Sequence, residues 1–351
     1  MHERNLSPQE MFEDLGRAWT PACRCTAQNP AEFQAWKAET LPRVLATLGE
    51  PPPAADPNPE RVGRWTHEGV VKERWLIDVQ EGLSAAFQVN FPPDLAEGER
   101  RAALLCCHGH GSHGKDAVMG NVARAKGKDE VAQANYDYGL RMAQAGFVTF
   151  AIDWMGFGER REGRKPNKTL MLPGSRDWCN LYYLHATLLG MTPLGINVAH
   201  GKAATDFACS LPGVDPERLG VLGLSLGGTM ALWMGLADER FRAIEIACYS
   251  DLFAAFALRD LNCCGQQITP GLFRLVDLPD LQGLLAPRPL LVDIGVYDEC
   301  FLFDNASVCY ERVRAIYEAG GAAQALELEL FPGGHRWGGD KAAEFFRTHL
   351  T

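Results

Sequence analysis

Residues Arg218–Trp233, RLGVLGLSLGGTMALW, are the starting point for the fold. They begin with apolar residues typical of a buried strand and end with small and apolar residues typical of a buried helix. Gly-x-Ser-x-Gly lies at the junction, and a serine in so sharp a turn occupies strained backbone with its hydroxyl above the sheet. Gly223 and Gly227 fit because side chains there would collide across the turn. The pattern predicts that Ser225 is a nucleophile and that the following N–H, of Leu226, faces an oxyanion.

Segments on both sides of this turn alternate between strand and helix patterns. Apolar runs typical of strands occur at Ala102–Cys107, Phe147–Ile152, Phe241–Ala247, Pro287–Gly295 and Leu326–Phe331. Helical patterns occur at Tyr136–Ala145, about Asn180–Leu211, Thr229–Ala237, Asp304–Ala319 and Ala342–Leu350. Residues 61–93 alternate with period two and predict antiparallel entry strands. The alternation predicts an α/β fold, with a mostly parallel sheet flanked by helices.

The first sixty residues form a separate pattern. Ser7 and Asn29 each precede Pro at the first helical position and Glu three residues after the cap, which predicts helices to about Trp19 and Leu48. A proline-rich linker follows. We therefore predict a helical arm and linker over residues 1–60 and a catalytic domain over 61–351, with an insertion at about 156–180 near the site. The arm could cover a sheet edge, pack on the core, or join two copies as a homo-oligomer.

Charge and composition exclude several partner classes. The formal net charge of −10 argues against nucleic acid and anionic membranes as partners, since both favour a basic face. No apolar run approaches the ~20 residues of a membrane span, and the polar N-terminus lacks a signal-peptide pattern. Eleven cysteines without a repeated spacing predict reduced core residues. We expect a cytoplasmic protein.

A serine nucleophile needs a base, and two histidines follow Ser225 in the chain. His335 lies in a loop directly after a strand, at the end of the sheet where catalytic groups gather. His349 lies in the terminal helix, where a solvated side chain is expected. His335 is the predicted base.

The acid that orients this base should follow the preceding long strand. Asp293 lies inside that strand and is too low to reach His335. Asp298 follows Gly295 and is the predicted acid, with Glu299 as the alternative. Asp304 is expected to cap the next helix.

The loop after Ala102–Cys107 supports two interpretations. Its His110 N–H is the predicted second oxyanion donor, with glycines on both sides that let the backbone turn inward. Alternatively His108, His110 and His113 have the outline of a zinc cluster, which would make the protein a metal-dependent hydrolase. Such clusters usually carry a carboxylate where this chain has Ser112. We predict no metal and no cofactor.

Together these motifs resemble the dienelactone hydrolase and acetyl xylan esterase-like branch of the α/β-hydrolases, over about residues 60 to 351. The resemblance is carried by six segments: His108–Gly111, Asp153–Arg160, Gly223–Gly228, Ala286–Leu291, Gly295–Asp298 and Gly333–His335. It implies a serine esterase with Ser225, Asp298 and His335 as its triad. Dienelactone hydrolases use a cysteine nucleophile, and this chain has serine instead.

The expected reaction is hydrolysis of a small ester through an acyl-enzyme, with short acyl groups preferred. Trp178, Tyr182 and Tyr183 are candidate substrate-binding residues because they are aromatic and lie at or near the end of the predicted insertion. Lactones and thioesters remain alternative substrates, because the same triad hydrolyses them. A catalytically silent scaffold that only binds a ligand is the alternative from another class of function.

Overall fold

The computed structural model describes residues 4–111, 113–122, 131, 133–162 and 178–351, and a nine-stranded sheet organises them. The strands are β1 Glu60–His67, β2 Val70–Gln80, β3 Leu83–Phe91, β4 Arg101–Cys107, β5 Val148–Ile152, β6 Val214–Leu224, β7 Phe241–Ala247, β8 Leu290–Gly295 and β9 Leu326–Phe331. Their order across the sheet is β1-β2-β3-β5-β4-β6-β7-β8-β9. The first three strands pair antiparallel, and β3 meets β5 antiparallel.

The six remaining strands run parallel, so the predicted α/β-hydrolase fold is confirmed. From β4 the chain first crosses to β5 on one side, and later enters β6 on the other. The loops that leave β4 and β6 therefore diverge and open a crevice at the carboxyl ends of these strands. Open α/β sheets bind their ligands at such a crevice.

Helices cover both faces of the sheet. Those described are α1 Pro8–Ala18, α2 Pro30–Ala46, α3 Lys115–Val118, α4 Tyr138–Gln144, α5 Trp178–Leu188, α6 Pro193–Ser210, α7 Leu226–Ala237, α8 Leu272–Leu275, α9 Leu278–Gly283, α10 Phe303–Ala319 and α11 Ala342–His349. Shorter helical turns lie at Gly158–Arg160, Ala254–Arg259 and Ala323–Ala325.

Two local expectations were wrong. The continuous helical stretch expected from Asn180 to Leu211 is broken, because Gly190 has a positive φ and Thr192 caps a new helix through its side chain. Asp304 does not cap α10: Leu302 is the N-cap, and Asp304 lies in the first turn. A carboxylate there still interacts favourably with the helix dipole.

The arm packs on the core of its own chain. Phe33 and Val44 of α2 are fully buried in the main hydrophobic cluster, and the Phe33 ring lies over Gly320 at the end of α10. Between α1 and α2, the Cys23 N–H donates to the Leu275 carbonyl at 2.7 Å. Of the three roles considered for the arm, packing on the core is therefore the one observed. The domain division at residue 60 stays a prediction.

Within the described part of the chain, no helix is long and apolar enough to cross a membrane.

Replacing Phe33 with alanine tests how much the arm contributes to stability. Because Phe33 is fully buried, Phe33→Ala should lower the free energy of unfolding by about 3–5 kcal/mol. Phe12→Ala is the matched control on α1, where the ring is 51% exposed, and should change it by about 0.5 kcal/mol or less. Urea denaturation measures both. If Phe33→Ala changed the free energy of unfolding as little as Phe12→Ala is expected to, the arm would contribute little to the fold.

Candidate active site

Ser225 lies at the junction of β6 and α7 in strained backbone. Its φ is 64° and its ψ is −121°, a conformation that costs a non-glycine residue on the order of 1–3 kcal/mol. Two backbone hydrogen bonds hold it there: its N–H donates to the Ala247 carbonyl, and its carbonyl accepts from the Thr229 N–H, both at 3.0 Å. The Ser225 side chain is partly exposed although its neighbours are buried. The turn thus presents the hydroxyl at the crevice.

Glycines allow the backbone around Ser225 to approach closely. A Cβ on Gly223 would collide with the Gly227 carbonyl, and a Cβ on Gly227 would collide with the Cys107 carbonyl at the end of β4. A Cβ on Gly109 would lie 2.7 Å from the Leu224 carbonyl oxygen and 3.3 Å from the Ser225 Cβ. The loop after β4 therefore lies directly against the turn that carries Ser225.

The two predicted oxyanion donors belong to these adjoining segments. Leu226 is the first residue of α7, and N–H groups in the first turn of a helix have no partner within it. The positive end of the helix dipole favours an anion at this position. His110 follows Gly109 in the loop that contacts Ser225. The structure thus places both residues on the two sides of the crevice.

Two tyrosines that the sequence analysis did not single out anchor this loop. The Gly109 N–H donates to the Tyr136 hydroxyl oxygen at 2.6 Å, and the Tyr138 hydroxyl donates to the Cys107 carbonyl. In the sequence these tyrosines only marked the start of a predicted helix, and α4 does begin at Tyr138. Their role depends on a tertiary contact, which local pattern does not reveal.

Asp298 and His335 are brought together by the loops after β8 and β9. Nδ1 of His335 lies 2.9 Å from Oδ2 and 3.1 Å from Oδ1 of Asp298. The N–H groups of Cys300 and Phe301 also donate to Oδ1, at 2.7 and 3.0 Å. Burial raises the pKa of Asp298, but these hydrogen bonds and the charge of His335 outweigh it, so its pKa lies below the ordinary value. Asp298 is therefore a fixed, ionised partner for the imidazole.

The alternative residues lie elsewhere. Glu299 is exposed while Asp298 is only 4% exposed, and Asp293 lies in the body of β8. His349 lies in α11 with its Nε2 3.4 Å from Glu327 Oε1. The structure therefore favours Asp298 and His335 for the acid and base.

Cys248 connects the Ser225 turn with Asp298 and His335. It follows Ala247, whose carbonyl accepts the Ser225 N–H, and its Sγ lies within 4.8 Å of ligand atoms of Asp298 and His335. The Cys248 thiol donates to the Arg336 carbonyl at 3.3 Å. On the imidazole itself, the ring of Phe301 stacks at a centroid distance of 5.8 Å. These contacts hold the His335 loop beside Ser225.

Three buried carboxyl groups on neighbouring strands lie below the same loop, and those of Glu245 and Glu329 anchor it. Glu245 of β7 accepts the Trp337 indole N–H, and Glu329 of β9 accepts the N–H groups of Asp340 and Lys341 at 3.0 and 2.9 Å. Asp293 of β8 lies between them in the sheet and is fully buried. Burial raises the pKa of both Glu245 and Asp293. Uncharged carboxyl groups can therefore share hydrogen bonds here.

His108 cannot act as the zinc ligand that the alternative hypothesis requires. Its Nε2 accepts the Trp154 N–H at 2.9 Å, so its Nδ1 carries the proton and donates to the Gly109 carbonyl at 2.8 Å. Burial lowers the pKa of His108 to about 4, which keeps the ring neutral. His108, His110 and His113 do not form a ligand cluster among the described residues. The His110 ring instead points to Cys264, with Nε2 3.2 Å from its Sγ.

The three candidate substrate-binding aromatics lie on α5, beside the segment 263–271. All three are half-buried, the Trp178 and Tyr182 rings lie 5.4 Å apart, and Tyr183 packs on Gly265. The Gly265 N–H donates to Asn180 on the same helix at 3.0 Å. Because Cys264 contacts His110, α5 and this segment border the crevice. Most of the predicted insertion, residues 163–177, lies outside the described residues.

The sheet, its crevice and the strained serine turn define an α/β-hydrolase. The Abhydrolase family model matches residues 2–329, and the chain belongs to that family. The resemblance inferred from sequence is thereby confirmed at the level of the α/β-hydrolases, as is the prediction of a hydrolase.

Similar proteins are found among both sequences and solved structures. YtaP of Bacillus subtilis (strain 168), provisionally named a hydrolase, is 25% identical over 303 residues, which are 85% of this chain and 94% of YtaP. A Bacteroides fragilis NCTC 9343 protein, provisionally named an acetyl xylan esterase, has a TM-score of 0.73 at 20% identity, covering 94% of this chain and 83% of that one. A glucuronoyl esterase from Solibacter usitatus has a TM-score of 0.67 at 15% identity, covering 95% and 98%. At these identities the structural likeness shows the fold.

The raised pKa of Glu245 predicts a pH-dependent stability. Because the folded state holds this proton more tightly than the unfolded state, stability is lost as the pH rises above the ordinary carboxyl value of 4.5. Glu245→Gln keeps an acceptor for the Trp337 indole N–H but does not titrate, so its stability should fall less steeply as the pH rises. Thermal unfolding between pH 4.5 and pH 9 measures it. Glu97→Gln, at an exposed position, is the control, and an unchanged slope in Glu245→Gln would contradict the assignment.

The acid assignment can be tested with a fluorophosphonate probe, which labels activated serines. Asp298→Asn should slow labelling of Ser225 by roughly a thousandfold or more, because an amide favours the wrong tautomer of the base. Glu299→Gln is the matched control and should label at the wild-type rate. If Glu299→Gln were the slow variant, the acid would be the neighbouring residue.

Proposed function

We propose that this protein is a serine carboxylic-ester hydrolase that works through an acyl-enzyme. Ser225 is the nucleophile, His335 the base and Asp298 its orienting acid. The observation that carries the proposal is the pairing of Asp298 with His335 at 2.9 Å, beside a serine held in a strained turn. A binding scaffold without chemistry would have no need for this combination.

In the first half-reaction His335 accepts the Ser225 proton as Oγ attacks the ester carbonyl carbon. The oxyanion that forms accepts hydrogen bonds from the N–H groups of Leu226 and His110. Asp298 holds neutral His335 in the tautomer whose Nε2 is free to accept this proton, and the imidazolium that results then donates it to the leaving alcohol. In the second half-reaction His335 deprotonates water, which attacks the acyl-enzyme, and the imidazolium returns the proton to Ser225 Oγ as the acid leaves.

Two lines support an ester as substrate. The solved structures with the same fold are named esterases, including an acetyl xylan esterase and a glucuronoyl esterase. The alternative of a metal-dependent hydrolase is disfavoured, because both ring nitrogens of His108 bind backbone groups and are not available to a metal. We propose short-chain esters, including acyl groups on sugars, with Trp178, Tyr182 and Tyr183 in the substrate wall. A lactone or thioester would use the same groups.

No cofactor is needed for this reaction, and the proposed partner is the small-molecule ester alone. The net charge of −10 argues against nucleic acid and membrane as partners, and their absence stays a prediction. The eleven cysteines, free in the structure, fit a reducing compartment, and a cytoplasmic location stays a prediction. A homo-oligomer formed through the arm also stays a prediction.

We expect the enzyme to prefer short acyl chains, with the highest kcat/KM on p-nitrophenyl esters whose acyl group has two to four carbons. An apolar pocket for long chains would gain about 0.8 kcal/mol per buried methylene, so kcat/KM would rise with chain length. A small pocket shows a fall instead, once the chain outgrows it. The assay covers acyl chains of two to twelve carbons below their micelle limits.

Ser225→Ala is the control for this series and should lose at least about a thousandfold in kcat, because the triad acts as a unit. A maximum at eight carbons or more would reject the small pocket and leave the triad intact. Turnover that persists in Ser225→Ala would reject the proposed function itself.

A further inference from the structure

Two thiols and an imidazole converge at the edge of the crevice, apart from the proposed triad. Ligand atoms of His110, Cys179 and Cys264 all lie within 4.8 Å of one another. His110 Nε2 is 3.2 Å from Cys264 Sγ. Both cysteines are buried, at 5% and 8% exposure, whereas His110 is exposed. The cluster is therefore built into the protein and is reached from solvent on its histidine side.

Three separate segments supply these residues, and each is held in place. His110 comes from the loop after β4, and its ring packs edge-on against Phe157 at 5.7 Å. Cys179 lies in the first turn of α5, whose Asn180 accepts the Gly265 N–H at 3.0 Å. Cys264 is fixed by its own N–H, which donates to Gln267 Oε1 at 3.1 Å. The Gln266 N–H also donates to the Cys264 sulfur at 3.4 Å, which helps to fix the position of that sulfur.

The chemistry of this donor set matches a thiophilic cation. Zn²⁺ binds cysteine sulfur at about 2.3 Å and histidine nitrogen at about 2.0–2.1 Å in a tetrahedron, which sets neighbouring ligands about 3.3–3.8 Å apart. His110 Nε2 and Cys264 Sγ, 3.2 Å apart, are already near that spacing, and Cys179 Sγ lies within 4.8 Å of the ligand atoms of the other two residues. Two thiolates neutralise a divalent ion, and a Cys2His set leaves a fourth position for water. Binding would release the two thiol protons to solvent.

We propose that His110, Cys179 and Cys264 form a binding site for Zn²⁺ or a similar thiophilic cation at the edge of the crevice. This site differs from the histidine cluster considered from sequence, of which it retains only His110. An ion on the His110 ring would sit beside the loop whose backbone contacts Ser225. It would place a charged, hydrated group at the entrance and inhibit turnover. That consequence, unlike the binding itself, rests on the proposed function.

Cobalt(II) is a direct probe, because thiolate ligands give it intense near-ultraviolet absorption and a tetrahedral site gives it visible bands. The full-length protein is kept reduced with a phosphine and without oxygen. Both kinds of absorption should grow as cobalt(II) is added, until one equivalent is bound. Added Zn²⁺ should remove them by displacement. Cys179→Ser and Cys264→Ser should each weaken binding at least tenfold. Cys209→Ser, at a half-buried thiol on α6, is the matched control and should bind as the wild type does.

Absence of these bands in the wild type would overturn the site. Binding of cobalt at wild-type affinity by both Cys179→Ser and Cys264→Ser would also overturn it. Because a variant could fail to fold, a second measurement uses the wild type alone. Zn²⁺ should protect Cys179 and Cys264 from alkylation by iodoacetamide, read by peptide mass spectrometry, while Cys209 continues to react. Equal alkylation with and without Zn²⁺ would also overturn the site.

Ester turnover at the same Zn²⁺ concentrations tests the inhibitory consequence. The wild type should lose activity as the cobalt-binding site fills, and Cys179→Ser should retain it. Full activity of the zinc-loaded wild type would overturn the inhibition. Absence of turnover in every protein, with spectra intact, would instead overturn the proposed function and leave the metal site standing.

Discussion

The approach of β4 to the serine turn constrains everything around the site. The Cys107 carbonyl occupies the space that a side chain at residue 227 would need, so the two backbones touch at the switch point of the sheet. Only glycine fits there, and Ser225 must adopt a positive φ for the chain to enter α7. The cost is on the order of 1–3 kcal/mol, which the surrounding parallel strands offset. Ser225 and the loop after β4 are thereby fixed relative to each other by the sheet itself.

His335 is positioned by a different set of contacts. Its loop is anchored by the carboxyl groups of Glu245 and Glu329, from the strands on either side of β8, and by Phe301 stacked on the imidazole. Buried carboxyl groups are costly when charged, so burial keeps Glu245 protonated to higher pH than usual. Above them, Asp298 remains ionised because His335 and two backbone N–H groups stabilise its charge. Two carboxyl groups of this region thus have different protonation states. Glu245 stays protonated and anchors the loop, whereas Asp298 is ionised and pairs with His335.

The sequence predicted the features that depend on local pattern. Strand and helix alternation predicted the parallel sheet. Chain order after Ser225 selected His335 and Asp298, which the structure pairs and whose catalytic roles stay a prediction. Local pattern did not reveal the contacts between distant segments: Tyr136 under the loop after β4, Cys248 beside Asp298, and Cys179 with Cys264 show no diagnostic spacing. The spacing of His108, His110 and His113 suggested a metal cluster. In the folded protein these rings do not form a ligand cluster among the described residues. His108 is buried, and its Nε2 accepts the Trp154 N–H.

The arm also bears on how the protein is made. Phe33 is buried against Gly320, which leaves the ribosome almost three hundred residues later. At synthesis rates of 5–20 residues per second, α2 has to wait about 15 to 60 s for its partner surface. During that interval its apolar face is available to chaperones and to other nascent chains. The arm helices are therefore made long before the surface on which they pack, and the core around Phe33 is completed only after Gly320 has been synthesised.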